Sequence, residues 1–543
     1  MKIAIAQVNP TVGDLDGNAD TLLSFAQRAA GEGASLVAFG DGALTGVPLG
    51  GLARSAAFLA DALAHLRRLA DELPVLALVP CVFDAAGYAY ADEGPDYAEA
   101  TGQADTPVTT GLFIVGDGDV QLLYAPSFEV EGACPIVQVA GEMVAVLLGK
   151  HYNVSVKLEG AKAMLELCAD AYTEEHAAPA ARSKITRYLQ LVRMCNAHVG
   201  YVNLCGASDA TVFAGNSLVA APDGRLLRAA ALDAEDLIVF DTANRKGTGG
   251  AAGKARVSAS EIIWRGIVTA TRDYVAKNGF SDVLVGISGG IDSALVTTLA
   301  VDALGPEHVH GLLMPGPYSS DGSLTDAAEL AANLGIDATT VPITDVRESM
   351  HAVLGEACGG AVEGVAAENL QARIRAVYLM TVSNARGWLV LNTGNKSEAA
   401  MGFSTLGGDT CGVFAPLGNM YKSDCYELAK WRVGQGASIP QACIDKAPSA
   451  ELYPGATDQD RLPPYEQLDE VLLAHVEDGK SAAEIVALGY DAQLVDDVLG
   501  GLVASEFKRR LEPLAPLVMG RAFTDGRAWP ITNGWRDLSA RDM

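Results

Sequence analysis

Val283-Leu284-Val285-Gly286-Ile287-Ser288-Gly289-Gly290-Ile291-Asp292-Ser293-Ala294 decides the fold of the second half of this chain. The apolar, β-branched run Val283–Ile287 reads as a buried strand, and a helical pattern follows from Ala294 to about Ala303. Between them, adjacent glycines let the backbone approach a phosphate, and the helix N-terminus offers unpaired N–H groups and a partial positive charge. The loop is not a Walker loop, because G-x-x-x-x-G-K-[ST] is absent. An ordinary tight βα turn is the plainer alternative, but it leaves the acid within the loop unexplained.

Composition bounds the rest. At 543 residues the chain is too long for one core, so two domains are expected. A hydrophobic content of 49% excludes a mainly disordered chain. A formal net charge of −28 opposes binding to DNA or RNA, which needs a basic face, yet leaves room for a local basic pocket around a dinucleotide. The nine cysteines form no C-x-x-C pair, which points to reduced thiols in a cytoplasmic protein rather than to disulfides or a zinc site. No apolar run is long enough to span a membrane, and residues 1–8 read as a first strand rather than a signal peptide.

Strands are expected at Ser35–Phe39, Val75–Val79, Thr110–Val115, Met143–Leu148, Gly200–Leu204 and Ser217–Ala221. Helices are expected at Asn18–Ala30, Ser55–Asp71 and Ser183–His198, giving a layered α/β domain over residues 1–243. Gln7-Val8-Asn9-Pro10-Thr11-Val12-Gly13-Asp14-Leu15-Asp16-Gly17-Asn18 and Ala43-Leu44-Thr45-Gly46-Val47-Pro48 resemble the nitrilase-type glutaminase domain of glutamine-dependent NAD+ synthetases. That resemblance implies an α-β-β-α sandwich with a Glu-Lys-Cys triad, in which cysteine attacks the glutamine amide and lysine stabilises the oxyanion.

All three triad positions depart from the family. Within Phe39-Gly40-Asp41-Gly42-Ala43-Leu44 the glutamate position holds Asp41, and in Leu122-Leu123-Tyr124-Ala125-Pro126-Ser127-Phe128 the lysine position holds Leu122. Leu148-Gly149-Lys150-His151 puts Gly149 where the nucleophile belongs. Glycine cannot form an acyl-enzyme, so this domain is expected to be inactive as a glutaminase. Cys134 and Cys168 are the nearest thiols in sequence, and neither sits at the strand end that aims a nucleophile. Lys150 and His151 read as solvated loop residues, with an anion site in the altered pocket as the alternative.

A glycine-rich stretch, Lys246–Lys254, lies within an expected linker over residues 244–257, and the second domain is expected over 258–543. Helices at Ser258–Lys277 and Asp326–Leu334 alternate with strands at Val309–Pro315, Val341–Ile343 and Leu389–Leu391, implying a doubly wound parallel sheet. The S-G-G-x-D-S loop resembles that of the ATP pyrophosphatases. Five further stretches resemble the NAD+ synthetase domain in particular: Pro315–Ser320, Glu368–Arg375, Thr393-Gly394-Asn395-Lys396-Ser397-Glu398, Tyr421-Lys422-Ser423 and Lys446–Leu452 with its continuation Thr457–Tyr465.

Carried over by position, the resemblance implies that Gly286, Ser288, Gly289, Gly290, Asp292, Ser293 and Thr393 hold ATP. Asn369, Glu398 and Lys508 would contact deamido-NAD+, Asp292 and Glu398 would bind Mg2+, and Lys422 would neutralise phosphate charge. For Lys508, beside Arg509 and Arg510, a surface ion pair is an equal alternative. The implied activity is ATP-dependent amidation of deamido-NAD+ through an adenylate, with ammonia as nitrogen donor because the triad is missing. Glutamine use through an unrecognised nucleophile and a regulatory ligand-binding role for the first domain are the alternatives. The family also implies a homodimer or larger homo-oligomer.

Overall fold

The structure is a computed structural model, in which residues 1–84, 108–125, 134–149, 160–172, 192, 196–231, 233–247, 258–523 and 527–542 are described. The chain divides into two compact units, Met1–Ser258 and Ala259–Met543.

The first unit contains two six-stranded sheets. One, in the order β14-β1-β2-β3-β4-β5, is formed by β1 (Lys2–Gln7), β2 (Leu36–Phe39), β3 (Leu76–Asp84), β4 (Val108–Gly116), β5 (Asp119–Tyr124) and β14 (Asp236–Asp241). The other, in the order β13-β12-β9-β8-β7-β6, is formed by β6 (Ile136–Val139), β7 (Glu142–Leu148), β8 (Ala161–Leu167), β9 (His198–Val202), β12 (Leu218–Ala220) and β13 (Leu226–Ala229). The small hairpin of β10 (Ala207–Ser208) and β11 (Thr211–Val212) stands apart.

Alternation along each strand builds the layers. In β2, Leu36 and Ala38 join Val144, Val146, Leu165 and Leu167 in the core between the sheets. Val37 and Phe39 point the other way, onto helices Leu15–Gly31 and Ala56–Glu72. Those helices start at Asp14, which accepts from Gly17 N–H, and Ser55, which accepts from Phe58 N–H. On the far face of the second sheet, Ala145, Leu147, Met164 and Tyr201 pack with Val192.

Most of the helix expected over 183–198 lies outside the described residues, as do Lys150, His151, Pro126–Phe128 and residues 248–257 of the linker. The described end of that helix differs from expectation. Asn196 has φ +48 and His198 already pairs with Ala163 in the sheet, so the apolar pattern there belongs to β9.

The second unit is built on a four-stranded parallel sheet in the order β17-β16-β15-β18, from β15 (Val283–Gly286), β16 (Val309–Leu313), β17 (Asp337–Thr340) and β18 (Leu389–Leu391). From β15 the chain moves outward one way to β16 and β17, and β18 returns on the other side. The strand order therefore reverses beside β15, and a crevice opens beyond its carboxyl end.

Two element assignments shift. The third strand is Asp337–Thr340 rather than Val341–Ile343: all four residues are exposed on a sheet edge, so burial leaves no apolar pattern, and Pro342 lacks the N–H a ladder needs. The helix after the glycine loop begins at Ile291 rather than Ala294, with Gly290 as its N-cap, so Asp292 and Ser293 stand in its first turn. Helices Tyr465–Val476 and Ala492–Ala504 close the unit around Leu468, Leu472, Val495 and Leu499, together with Tyr421.

Candidate active site

A cleft of about 460 Å³ lies beyond the carboxyl ends of β15 and β18. Gly286, Ser288, Gly290, Asp292 and Ser293 line it from the first loop, Thr393 and Glu398 from the second, and Asn369, Lys422 and Lys508 from the surrounding helices. The first loop is braced from within. Ser293 Oγ accepts from Ser288 N–H at 3.2 Å and donates to the Gly290 carbonyl at 3.0 Å, while Gly290 N–H donates to Ser288 Oγ at 3.2 Å. The first-turn N–H groups that follow have no acceptor within their own helix. They are free to receive an anion placed in the cleft.

Gly289 differs from the other loop residues because it does not line the cleft. Its φ is +82, and a Cβ there would stand 2.3 Å from the Ser323 carbonyl oxygen of helix Asp321–Leu334. The glycine is needed for close packing behind the loop. Gly289→Ala is expected to destabilise the second unit by about 2 kcal/mol or more, read as a lower thermal midpoint, because strain and a backbone clash act together.

Three carboxylates and one ammonium meet at the cleft floor. Lys422 Nζ lies 2.5 Å from Asp292 Oδ2 and 3.2 Å from Glu398 Oε1. Burial works against the Lys422 charge, yet Asp292 and Glu398 together outweigh it and hold the ammonium protonated, well above its ordinary range. Burial pushes Glu398 up to about 7; Lys422 opposes that, and Asp292 and Asp458 add to it. Asp458, which accepts from Tyr465 Oη at 2.8 Å, is likewise raised, chiefly by burial. Asp292 Oδ1 is buried without a hydrogen-bond partner among the described residues. An orphaned carboxylate oxygen in a carboxylate-rich cleft fits a divalent cation shared with phosphate oxygens, the arrangement Mg2+ favours.

Asn369 Oδ1 accepts from Thr405 Oγ1 at 2.8 Å, and Lys508 Nζ donates to the carbonyls of Gly402 and Ser404 at 2.7 Å each. Lys508 thus braces the chain after Glu398 rather than forming a surface ion pair. Sequence reasoning gave no role to Asp458 or to Arg461, which also lines the cleft and pairs with Glu368 at 2.7 Å. Both lie in the stretch Thr457–Tyr465, but their approach to residues far away in sequence has no local signal.

In the first unit, Asp41 follows β2, Leu122 lies within β5, and Gly149 follows β7. Asp41 N–H donates to the Cys168 carbonyl at 3.0 Å, and burial pushes its carboxyl up to about 6 against a hydrogen bond from Gly42. Leu122 packs on the cluster containing Phe83 and Phe113. Gly149 has φ +67, donates its N–H to the Leu167 carbonyl at 2.9 Å, and has nothing described within 4 Å of where a Cβ would stand. A third thiol feels Asp41: Cys81, buried in β3, is pushed up to about 12 by burial and then by the Asp41 charge, so it is held protonated.

Asp41 carries a stability consequence. Its folded-state value of about 6 lies above the ordinary 3.8, so the native state keeps a proton that the unfolded chain releases. Stability therefore falls as pH rises from about 4 to 6. Asp41→Asn is expected to stabilise the first unit at pH 7 by up to about 3 kcal/mol and to change little at pH 3, measured by thermal unfolding at both values.

A family model for NAD synthase matches residues 263–512. The glutamine-dependent NAD(+) synthetase of Thermotoga maritima is 33% identical, and that of Xylella fastidiosa 36%, each over 99% of both chains. The chain belongs to the glutamine-dependent NAD+ synthetase family. It is accordingly a C–N ligase. The solved glutamine-dependent NAD+ synthetase of Acinetobacter baumannii, in complex with ADP, is 29% identical with a TM-score of 0.70 over 99% of each chain. That from Cytophaga hutchinsonii, 16% identical with a TM-score of 0.80 over 100% of this chain and 99% of its own, shares the fold. No helix among the described residues is long and apolar enough to cross a membrane, and the eight described cysteines are free thiols.

Proposed function

We propose that this NAD+ synthetase amidates deamido-NAD+ with free ammonia, and that residues 1–243, within the first unit, form a nitrilase-like domain that is a scaffold without glutaminase activity. One observation supports this reading: the strand end after β7 has a left-handed turn at residue 149 and carries glycine there, with no atom to attack an amide. Leu122 adds no charge for an oxyanion, and the Cys81 thiol is held protonated.

The nicotinate carboxylate of deamido-NAD+ is a poor acylating group, because oxide would have to leave. Its oxygen attacks the α-phosphorus of ATP, the bond to the β-phosphate bridging oxygen breaks, and pyrophosphate departs. Ammonia then attacks the activated carbonyl, the bond to AMP breaks, and a proton is lost, giving NAD+ and AMP. The first helical turn after the loop, Ile291–Ser293, offers N–H groups to the phosphates, and Lys422, kept protonated, sets a positive charge beside Asp292. Asp292 and Glu398 would hold magnesium, which would supply further positive charge to the phosphates. Asn369, Thr393 and Lys508 line the same cleft and complete the substrate contacts in this reading.

A homodimer and a cytoplasmic location belong to the same proposal. Val346, Met350 and Val353 on helix Thr344–Leu354, and Val377 and Met380 on the contacting helix Gly364–Arg386, are exposed apolar side chains, which favour burial against a second copy. The deciding experiment for the reaction is NAD+ formation from deamido-NAD+ and ATP with ammonium or glutamine as sole nitrogen source.

A further inference from the structure

Asp469, on helix Tyr465–Val476, is only 5% exposed. Its Oδ1 accepts from Ser397 Oγ at 2.5 Å, and its Oδ2 accepts from Ser423 N–H at 2.8 Å and Ser423 Oγ at 2.7 Å. Ser397 Oγ in turn accepts the Lys422 N–H at 2.8 Å. Ser397 immediately precedes Glu398, and Ser423 immediately follows Lys422. None of Ser397, Ser423 and Asp469 lines the cleft. We propose that Asp469 is a positioning residue for the reaction, its carboxylate tying together the two helix starts that carry Glu398 and Lys422 toward Asp292.

A buried carboxylate is costly unless several donors reach it, and here three donors from two segments do. An amide of the same shape has one acceptor oxygen, so it accepts from only one segment and reaches the other only by donating through its NH2, against the direction of the bond that Ser397 makes to the carboxylate. The same helix makes a second tie at its far end. Glu477 receives Lys396 Nζ at 2.5 Å and Tyr421 Oη at 3.1 Å, so residues 396–397 and 421–423 are both fastened to one rigid element. The 2.5 Å and 3.2 Å contacts of Lys422 Nζ depend on that spacing. A displacement of an ångström in such a cluster costs rate far more than binding.

The inference rests on Asp292, Glu398 and Lys422 being the reacting cluster. The test uses the full chain with saturating ammonium, comparing Asp469→Asn, Ser397→Ala and the double variant. Ser397→Ala loses only a hydroxyl, and thermal midpoints report folding in each case. In both single variants kcat is expected to fall about tenfold or more while KM for ATP and deamido-NAD+ stays within about threefold. The double variant should be no slower than the slower single one, because both remove the same tie. Parental kcat in Asp469→Asn and Ser397→Ala overturns the proposal, as do multiplying losses in the double variant or losses that only track the folded fraction. Near-parental turnover in Asp292→Ala would instead defeat the cluster assignment itself.

Discussion

Asp292→Ala is expected to lower kcat/KM for NAD+ formation with ammonium by at least about a thousandfold, an effect on the order of 4 kcal/mol. Two losses combine. The carboxylate whose Oδ1 is buried without a partner among the described residues is gone, and with it the proposed hold on a cation beside the phosphates. Lys422 also loses its 2.5 Å partner and is left with Glu398 alone at 3.2 Å, in a buried setting where one missing counter-charge is costly. Release of pyrophosphate and AMP should vanish together, because the lost step is adenylation rather than ammonia attack. The check is pyrophosphate release beside ATP affinity measured by binding. A protein that binds ATP nearly as before but releases no pyrophosphate supports the assignment; near-parental turnover refutes it.

The second large effect concerns nitrogen. Turnover with ammonium is expected to exceed turnover with glutamine by at least about a hundredfold, and no glutamate should accumulate, because amide hydrolysis without a nucleophile loses most of its catalysis. Gly149→Cys alone should not restore glutamine use. Its φ of +67 strains any side chain, Leu122 still offers no ammonium for the oxyanion, and Asp41, with its carboxyl pushed up to about 6, is a shorter base. Glutamine-supported turnover that matches ammonium and disappears in Cys81→Ser or Cys168→Ala would show that another thiol does the work.

Much of this protein is legible locally. Strict alternation in β2 places Leu36 and Ala38 in one core and Val37 and Phe39 in another, since successive side chains on a strand face opposite sides. The run Val283–Ile287 followed by adjacent glycines declares a buried strand and a glycine turn into a helix from apolar content and backbone freedom. The residues at positions 41, 122 and 149 are likewise a matter of sequence. What these share is dependence on neighbours a few residues away.

The tertiary structure decided everything that depends on distant groups. Asp292 and Lys422 are 130 residues apart in sequence and 2.5 Å apart in space. Only that approach reveals a cluster with more negative than positive charge, in which burial and the neighbouring Asp292 and Asp458 raise Glu398. Gly289 reads as a phosphate contact in the sequence, but the fold turns it toward Ser323, because helix Asp321–Leu334 passes directly behind the loop. Asp469 has no signature as a helical acid in an apolar stretch until Ser397 and Ser423 are seen to converge on it. Electrostatics and hydrogen bonding act through space, so their partners are chosen by folding and not by order along the chain.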